Sequence, residues 1–99
     1  MRTVIYGFLT ETEKLLEAMR IALSRREYAT FKELAHILKG SAGNVGAEAL
    51  FVICGQILLL GEAELRISAS DLLGEALDSY PPTRASLLRH LNGANRAAQ

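Results

Sequence analysis

His36 is the residue of this chain best suited to chemistry on a partner. It stands in the segment Ala35-His-Ile-Leu-Lys-Gly-Ser-Ala-Gly-Asn-Val-Gly-Ala47, with Lys32 four residues before it and Lys39 three residues after it. A neutral imidazole is a nucleophile near physiological pH. A phosphoryl group on it would bring about two negative charges, and a nearby ammonium would offset them. The spacing is compatible with phosphoryl chemistry at His36 and also with an ordinary surface histidine.

A helical wheel places His36 away from the predicted core. At about 100° per residue, the opposite side carries an apolar stripe made of Phe31, Leu34, Leu38, Ser41 and Val45. Gly40 and Gly43 lie on the side of His36, although each costs a helix about 1 kcal/mol relative to alanine. Their missing side chains leave a flat strip along which another protein could approach the imidazole. The alternative is that these glycines permit close helix packing, but they point away from the apolar stripe.

Four helices are predicted to position this segment. Thr10-x-x-Glu13 has the form of a capping box and predicts a first helix over about 11–24, with residues 4–8 as a short extra turn or a strand-like lead-in. The second helix is expected to begin near Glu27 or Tyr28 and to end at Gly46. A third, apolar nearly all round, covers 47–60.

A fourth helix is expected to begin near Ser68 or Ser70 and to end at Asn92-Gly93. Pro81 and Pro82 must kink or split it, because neither residue has an amide to donate. Short loops between amphipathic helices predict an all-α fold, an up-down antiparallel four-helix bundle. We expect one domain over 1–99, with its core at about 8–92.

Composition and charge exclude several classes of function. The chain has 11 Lys and Arg residues against 11 Asp and Glu residues, so no strong field favours nucleic acid as a partner. Its most apolar stretch, Leu50 to Leu60, is about half as long as a bilayer requires. The single cysteine, Cys54, allows no internal disulfide and fits a reducing compartment. There is no metal-ligand cluster and no nucleotide loop, so neither a cofactor nor ATP binding is expected.

The segment His36-Ile-Leu-Lys39-Gly40-Ser-Ala-Gly43-Asn-Val-Gly-Ala47 closely resembles the phosphorylation motif of histidine phosphotransfer (HPt) domains. Phe8-Leu-Thr-Glu-Thr-Glu-Lys-Leu-Leu and Leu34-Ala35 are also similar to that family, and the resemblance covers about 8–91. It is strongest to the C-terminal HPt module of bacterial hybrid sensor kinases, including the quorum-sensing type found in xanthomonads.

The resemblance implies that His36 is the phosphoacceptor and that Lys39 stabilises the phosphate. The partners would be receiver domains of response regulators, which supply an aspartate and Mg²⁺, and a sensor histidine kinase in the same parent chain. The site would then lie in the cytoplasmic part of a membrane-bound kinase. Docking is expected around His36, with an apolar rim. The predicted docking residues are Lys32, Gly40, Gly43, Ile37 and Leu9.

The chain departs from the family at one position. Many members carry a glutamine or glutamate on the third helix that bonds the second ring nitrogen, and by spacing Leu58 stands there. Gln56 is two residues away, about 200° around the helix, and is not expected to replace it. The ring would be held by water or by a backbone carbonyl.

The sequence also allows functions other than phosphotransfer. A docking module that regulates a kinase without accepting phosphate is the main alternative, with the apolar segment Phe51-Val-Ile-Cys54 as its surface. An inert bundle gives no reason for Gly40 and Gly43. Cys54 is expected to be a small buried apolar residue, and His90 an ordinary surface residue near a helix end.

Overall fold

Four α-helices account for almost the whole described chain. A computed structural model describes the backbone of residues 2–98 and the side chains of residues 3–93. The helices are α1 (Arg2–Ser24), α2 (Tyr28–Val45), α3 (Glu48–Leu59) and α4 (Glu62–Ala98). Two or three residues join each pair, so consecutive helices run antiparallel. The predicted all-α four-helix bundle is confirmed.

The helices are arranged in a ring in chain order. Each helix packs against its neighbours in sequence, and α4 returns to pack against α1. Within the described residues α1 and α3 lie diagonally and do not approach each other. Buried apolar side chains run from Ile5 to Leu91 and form one core cluster. None of the described helices is both long enough and apolar enough to cross a membrane.

The first helix begins at Arg2, well before the predicted start at residue 11. Ile5, Phe8 and Leu9 are buried and continue the helical stripe of Leu15 and Leu16 toward the N-terminus. The predicted capping box therefore lies inside the helix, and residues 4–8 belong to its first two turns. Burial of an apolar stripe stabilises a helix more than one cap does, which explains why the cap signal misled.

The fourth helix begins at Glu62, six residues before Ser68, so neither predicted serine is its cap. Leu65 and Ala69 are buried and extend the stripe toward the N-terminus of the helix. Glu62 and Glu64 lie in the first turn, where negative charge suits the helix dipole. The helix also continues past Asn92-Gly93, which was predicted to end it.

Pro81 and Pro82 lie inside α4, which runs through them as one helix. Two hydroxyl groups that flank the prolines bond to backbone carbonyls of the turns before them: Ser79 Oγ donates to Ala76 O at 2.9 Å and Thr83 Oγ1 donates to Ser79 O at 2.8 Å. Next to them, Tyr80 Oη lies 2.6 Å from Glu13 Oε2 and 3.2 Å from Leu9 O. Partial burial, together with the hydrogen bond to Glu13, raises the pKa of the Tyr80 hydroxyl. The tyrosine thus ties the proline segment to α1.

Gly46 ends α2 as predicted, because it adopts a left-handed backbone conformation with φ of 75°. The amide of Ala47 donates to Ala42 O at 2.9 Å, which closes the helix end with a Schellman-type bond. A side chain is strained in this conformation, so glycine is required here.

We expect Gly46→Ala to lower the free energy of unfolding by about 1 kcal/mol, because alanine resists positive φ. Gly40→Ala is the matched control, since Gly40 lies inside α2 and a Cβ built there meets nothing within 4 Å. This control should raise stability by roughly 0.5–1 kcal/mol through helix propensity. Urea unfolding followed by circular dichroism measures both, and equal effects of the same sign would contradict the assignment.

Candidate functional site

The buried stripe of α2 determines where His36 points. Phe31, Ala35, Leu38 and Ala42 are fully buried, and His36 is exposed. The predicted core residues Leu34, Ser41 and Val45 are only half-buried. The stripe is thus rotated by about 50° toward Ala35 relative to the prediction. The exposure of His36 agrees with the wheel, but the neighbours of the imidazole are shifted.

Both lysines near His36 extend toward α3. The rotation places them at the edge of the α2–α3 seam, which we define as the line where Lys32, Lys39 and Gly43 face α3. Lys32 Nζ donates to Leu60 O at 2.8 Å, so it binds the carbonyl end of α3, where positive charge is favourable. Lys32 therefore has a partner within the chain, whereas the sequence analysis assigned it to docking.

Lys39 lies against the outer side of α3. Its Nζ is 5.1 Å from the centre of the Phe51 ring, a cation–π contact. A Cβ built on Gly55 would lie 3.9 Å from Lys39 Cε, so the stem of the lysine passes over a position without a side chain. Sequence reasoning missed Phe51 and Gly55 as members of this site. Their i, i+4 spacing on the third helix was visible, but the pairing of the helices was not.

The glycine strip is open at one of its two members. Gly40 is exposed and has free space where a side chain would stand. A Cβ on Gly43 would lie 3.4 Å from two carbons of the Phe51 ring, so Gly43 is also a place where α3 approaches. Of the two interpretations, an open surface for a partner applies to Gly40 and close helix packing applies to Gly43. Gly40 leaves the surface open, and Gly43 admits the ring.

The two residues of the predicted apolar rim differ in their exposure. Ile37 is 48% exposed and lies next to His36 in the chain. Leu9 is only 6% exposed, so the prediction that it contacts a partner is wrong. It was assigned to the rim under a first helix starting at residue 11, whereas α1 in fact continues through it with Leu9 on the inner face.

The pairing of α2 with α3 places Leu58 at the level of His36. Gly43 lies opposite Phe51, and Lys39 lies opposite Gly55. The two helices are therefore antiparallel, and a step of four residues toward the N-terminus of α2 corresponds to a step of four residues toward the C-terminus of α3. Less than one further turn brings His36 opposite Leu58, which is half-buried. Gln56 instead lines a cleft with α4 residues, among them Asp71 and Glu75. The polar group that Leu58 lacks is therefore not supplied by Gln56.

The described side chains provide neither a hydrogen bond to the imidazole nor a cluster of metal ligands. Within the part of the chain whose side chains are described, no group forms a hydrogen bond with the His36 ring. No three His, Cys, Asp or Glu side chains of that part group as a metal site would require. Cys54 is fully buried, and burial raises the pKa of its thiol to about 11 although the Lys39 charge opposes the change. The thiol is thus a protonated core group, as expected.

The fold and this face define a helical bundle with an exposed histidine beside a lysine and an open glycine position. The family described as "Hpt domain" matches residues 5–96. The chain therefore belongs to the Hpt family, the histidine phosphotransfer modules of phosphorelays. Neither the comparison with curated proteins nor the comparison with solved structures gave a match.

Leu58→Gln tests the pairing of the two helices. A glutamine at this position would reach the imidazole and favour one ring tautomer, because a hydrogen bond to one nitrogen fixes the proton on the ring. The ¹⁵N chemical shifts of His36 measure the tautomer ratio, and His90 is an internal reference. Leu59→Gln is the matched control, since Leu59 is 85% exposed on the outer face of α3. A change in Leu59→Gln but not in Leu58→Gln would contradict the pairing.

Proposed function

We propose that His36 is the phosphoacceptor of this Hpt domain. The observation that carries the proposal is its exposure beside Gly40, where no side chain obstructs a partner, with Lys39 one turn further along α2. Hpt domains are phosphotransfer intermediates rather than catalysts, and they interact with receiver domains of response regulators. A relay residue must be reached by a receiver aspartate twice, once to accept the group and once to pass it to the aspartate of another receiver.

The transfer needs little from this chain except position and charge. The lone pair of imidazole Nε2 attacks the phosphorus of an aspartyl phosphate on the receiver. The Nε2–P bond forms while the P–O bond to the aspartate breaks, and the bonding electrons remain with the carboxylate. The receiver would supply Mg²⁺ to neutralise the transferred oxygens. In a loose, in-line transition state such charge stabilisation and alignment provide most of the catalysis.

The partner surface is proposed from the exposed part of the site. Ile37 supplies apolar area on one side of His36, and Phe51, which is 41% exposed, supplies it on the other. Gly40 lies between them and allows close approach of the partner backbone. Exposed apolar residues that lie close together on a surface are typical of protein contact sites.

The proposal for the parent protein and its location in the cell rests on the resemblance of the motif around His36 to that of HPt domains. We propose that the domain works with a sensor histidine kinase of the same parent chain, on the cytoplasmic side, and that ATP is bound elsewhere in that kinase. Docking without phosphotransfer is not favoured, because membership of the Hpt family accounts for the histidine, the lysine and the glycine together.

His36→Gln should abolish phosphate acceptance, because an amide nitrogen is not a nucleophile. The measurement is transfer of acid-labile label from a receiver domain phosphorylated with labelled acetyl phosphate. His90→Gln is the matched control, since it removes the second histidine of the chain at an exposed position of α4. Label on His36→Gln at the wild-type level would overturn the assignment.

Lys39→Ala should slow phosphoryl transfer by roughly tenfold, which corresponds to about 1.4 kcal/mol of lost stabilisation in the transition state. The free energy of unfolding should fall by less than about 1 kcal/mol, because only an exposed cation–π contact is lost. Single-turnover transfer and urea unfolding measure the two effects. Lys14→Ala is the matched control, since Lys14 is an exposed lysine of α1. Equal rates in Lys39→Ala and Lys14→Ala would contradict the role of Lys39.

A further inference from the structure

Phe51 lies outside the phosphorylation motif but contacts its lysine. The ring is 5.1 Å from the Lys39 ammonium, and Gly55, one turn further along α3, leaves space for the lysine stem. The same ring lies 3.4 Å from the position of a Gly43 Cβ. Phe51 therefore fills the place between Lys39 and Gly43, on the exposed side of the α2–α3 seam.

The ring draws Lys39 away from the histidine. Phe51 lies at the level of Gly43, and Gly43 is two helical turns beyond His36, about 10 Å along the axis. Long side chains on a helix normally lean toward its N-terminus, which would carry Lys39 toward the imidazole. Its contact with Phe51 takes the ammonium in the opposite direction. In the unphosphorylated protein the Lys39 ammonium thus lies on the Phe51 ring and not beside the imidazole.

We propose that Phe51 is a positioning residue that holds Lys39 in the resting protein and releases it when His36 is phosphorylated. This inference rests on the proposed role of His36 as the phosphoacceptor. A phosphoryl group carries about two negative charges and attracts an ammonium more strongly than the face of a half-exposed ring does. The ring contact is therefore lost on phosphorylation, and its loss opposes transfer to His36.

The first test follows Lys39 by proton NMR in the full chain. The ε-methylene protons of Lys39 should be shifted upfield by the Phe51 ring, and Phe51→Leu should abolish that shift. Leu59→Ala, which alters an exposed apolar residue on the same helix, should leave it unchanged. Wild-type and Phe51→Leu protons at the same position would overturn the resting contact.

The same protons report the release. Phosphoramidate phosphorylates imidazole without a partner protein: the new N–P bond forms as the P–N bond of the reagent breaks, the ring loses a proton, and the reagent nitrogen gains one and leaves as ammonia. After this treatment the Lys39 protons should move to the position seen in Phe51→Leu. Protons that remain upfield in the phosphorylated protein would overturn the proposal. The treatment tests the lysine even where a receiver does not transfer phosphate, so a failure of the relay function is scored separately.

The second test is a double-mutant cycle on the phosphotransfer equilibrium. With a receiver domain phosphorylated by acetyl phosphate, Phe51→Leu should shift the equilibrium toward phosphorylated His36 by about two- to fivefold, the range expected for an exposed cation–π contact. In the Lys39→Ala background the same substitution should have no effect. A shift that persists without Lys39 would show that Phe51 acts only through the fold. A shift away from His36 would show that the ring aids transfer instead.

Discussion

The close approach of α3 to the alanine side of α2 is the constraint on which the rest of the site depends. Ala35 and Ala42 are fully buried on the side that carries Lys32 and Lys39, and both lysines contact α3. Because these alanines are short, α3 can pack there, and the buried stripe turns toward it. His36 follows Ala35 by about 100° and is thereby directed to solvent. One packing contact thus sets the direction of the His36 side chain and the residues that Lys32 and Lys39 contact.

The long helices give this contact a fixed frame. α1 and α4 extend well beyond α2 and α3, and the molecule is 53 Å long and 18 Å wide. Ile5 and Leu91 are buried in the extended part. Tyr80 joins α4 to α1 beside the two prolines, where helix hydrogen bonds are missing. The part of the longest helix that lacks backbone hydrogen bonds is therefore held to α1 by a side-chain contact.

Sequence reasoning located the site better than its surroundings. The predicted end of α2 and start of α3 agree closely with the structure because Gly46 is an unambiguous stop signal. The exposure of His36 followed from helical spacing alone. The starts of α1 and α4 were missed because a capping pattern contributes less free energy than a buried stripe. The partners of Lys32 and Lys39 depend on how two helices pair. That pairing is set by tertiary packing, which no local pattern in either helix reveals.

Leu58 shows what kind of phosphate carrier this site can be. A polar residue there would bond the ring before a partner arrives, whereas the leucine at the level of His36 offers the imidazole no hydrogen bond. Lys39 contacts the Phe51 ring, and in our proposal it leaves this ring when a phosphoryl group on His36 attracts it. With these proposed roles, the chain would stabilise the bound group chiefly through the movable charge of Lys39. A phosphate carrier must release the group that it accepts. Only interactions that are stronger in the transition state than in the phosphorylated carrier speed that release. Weak stabilisation of the phosphorylated histidine therefore keeps the barrier to onward transfer low.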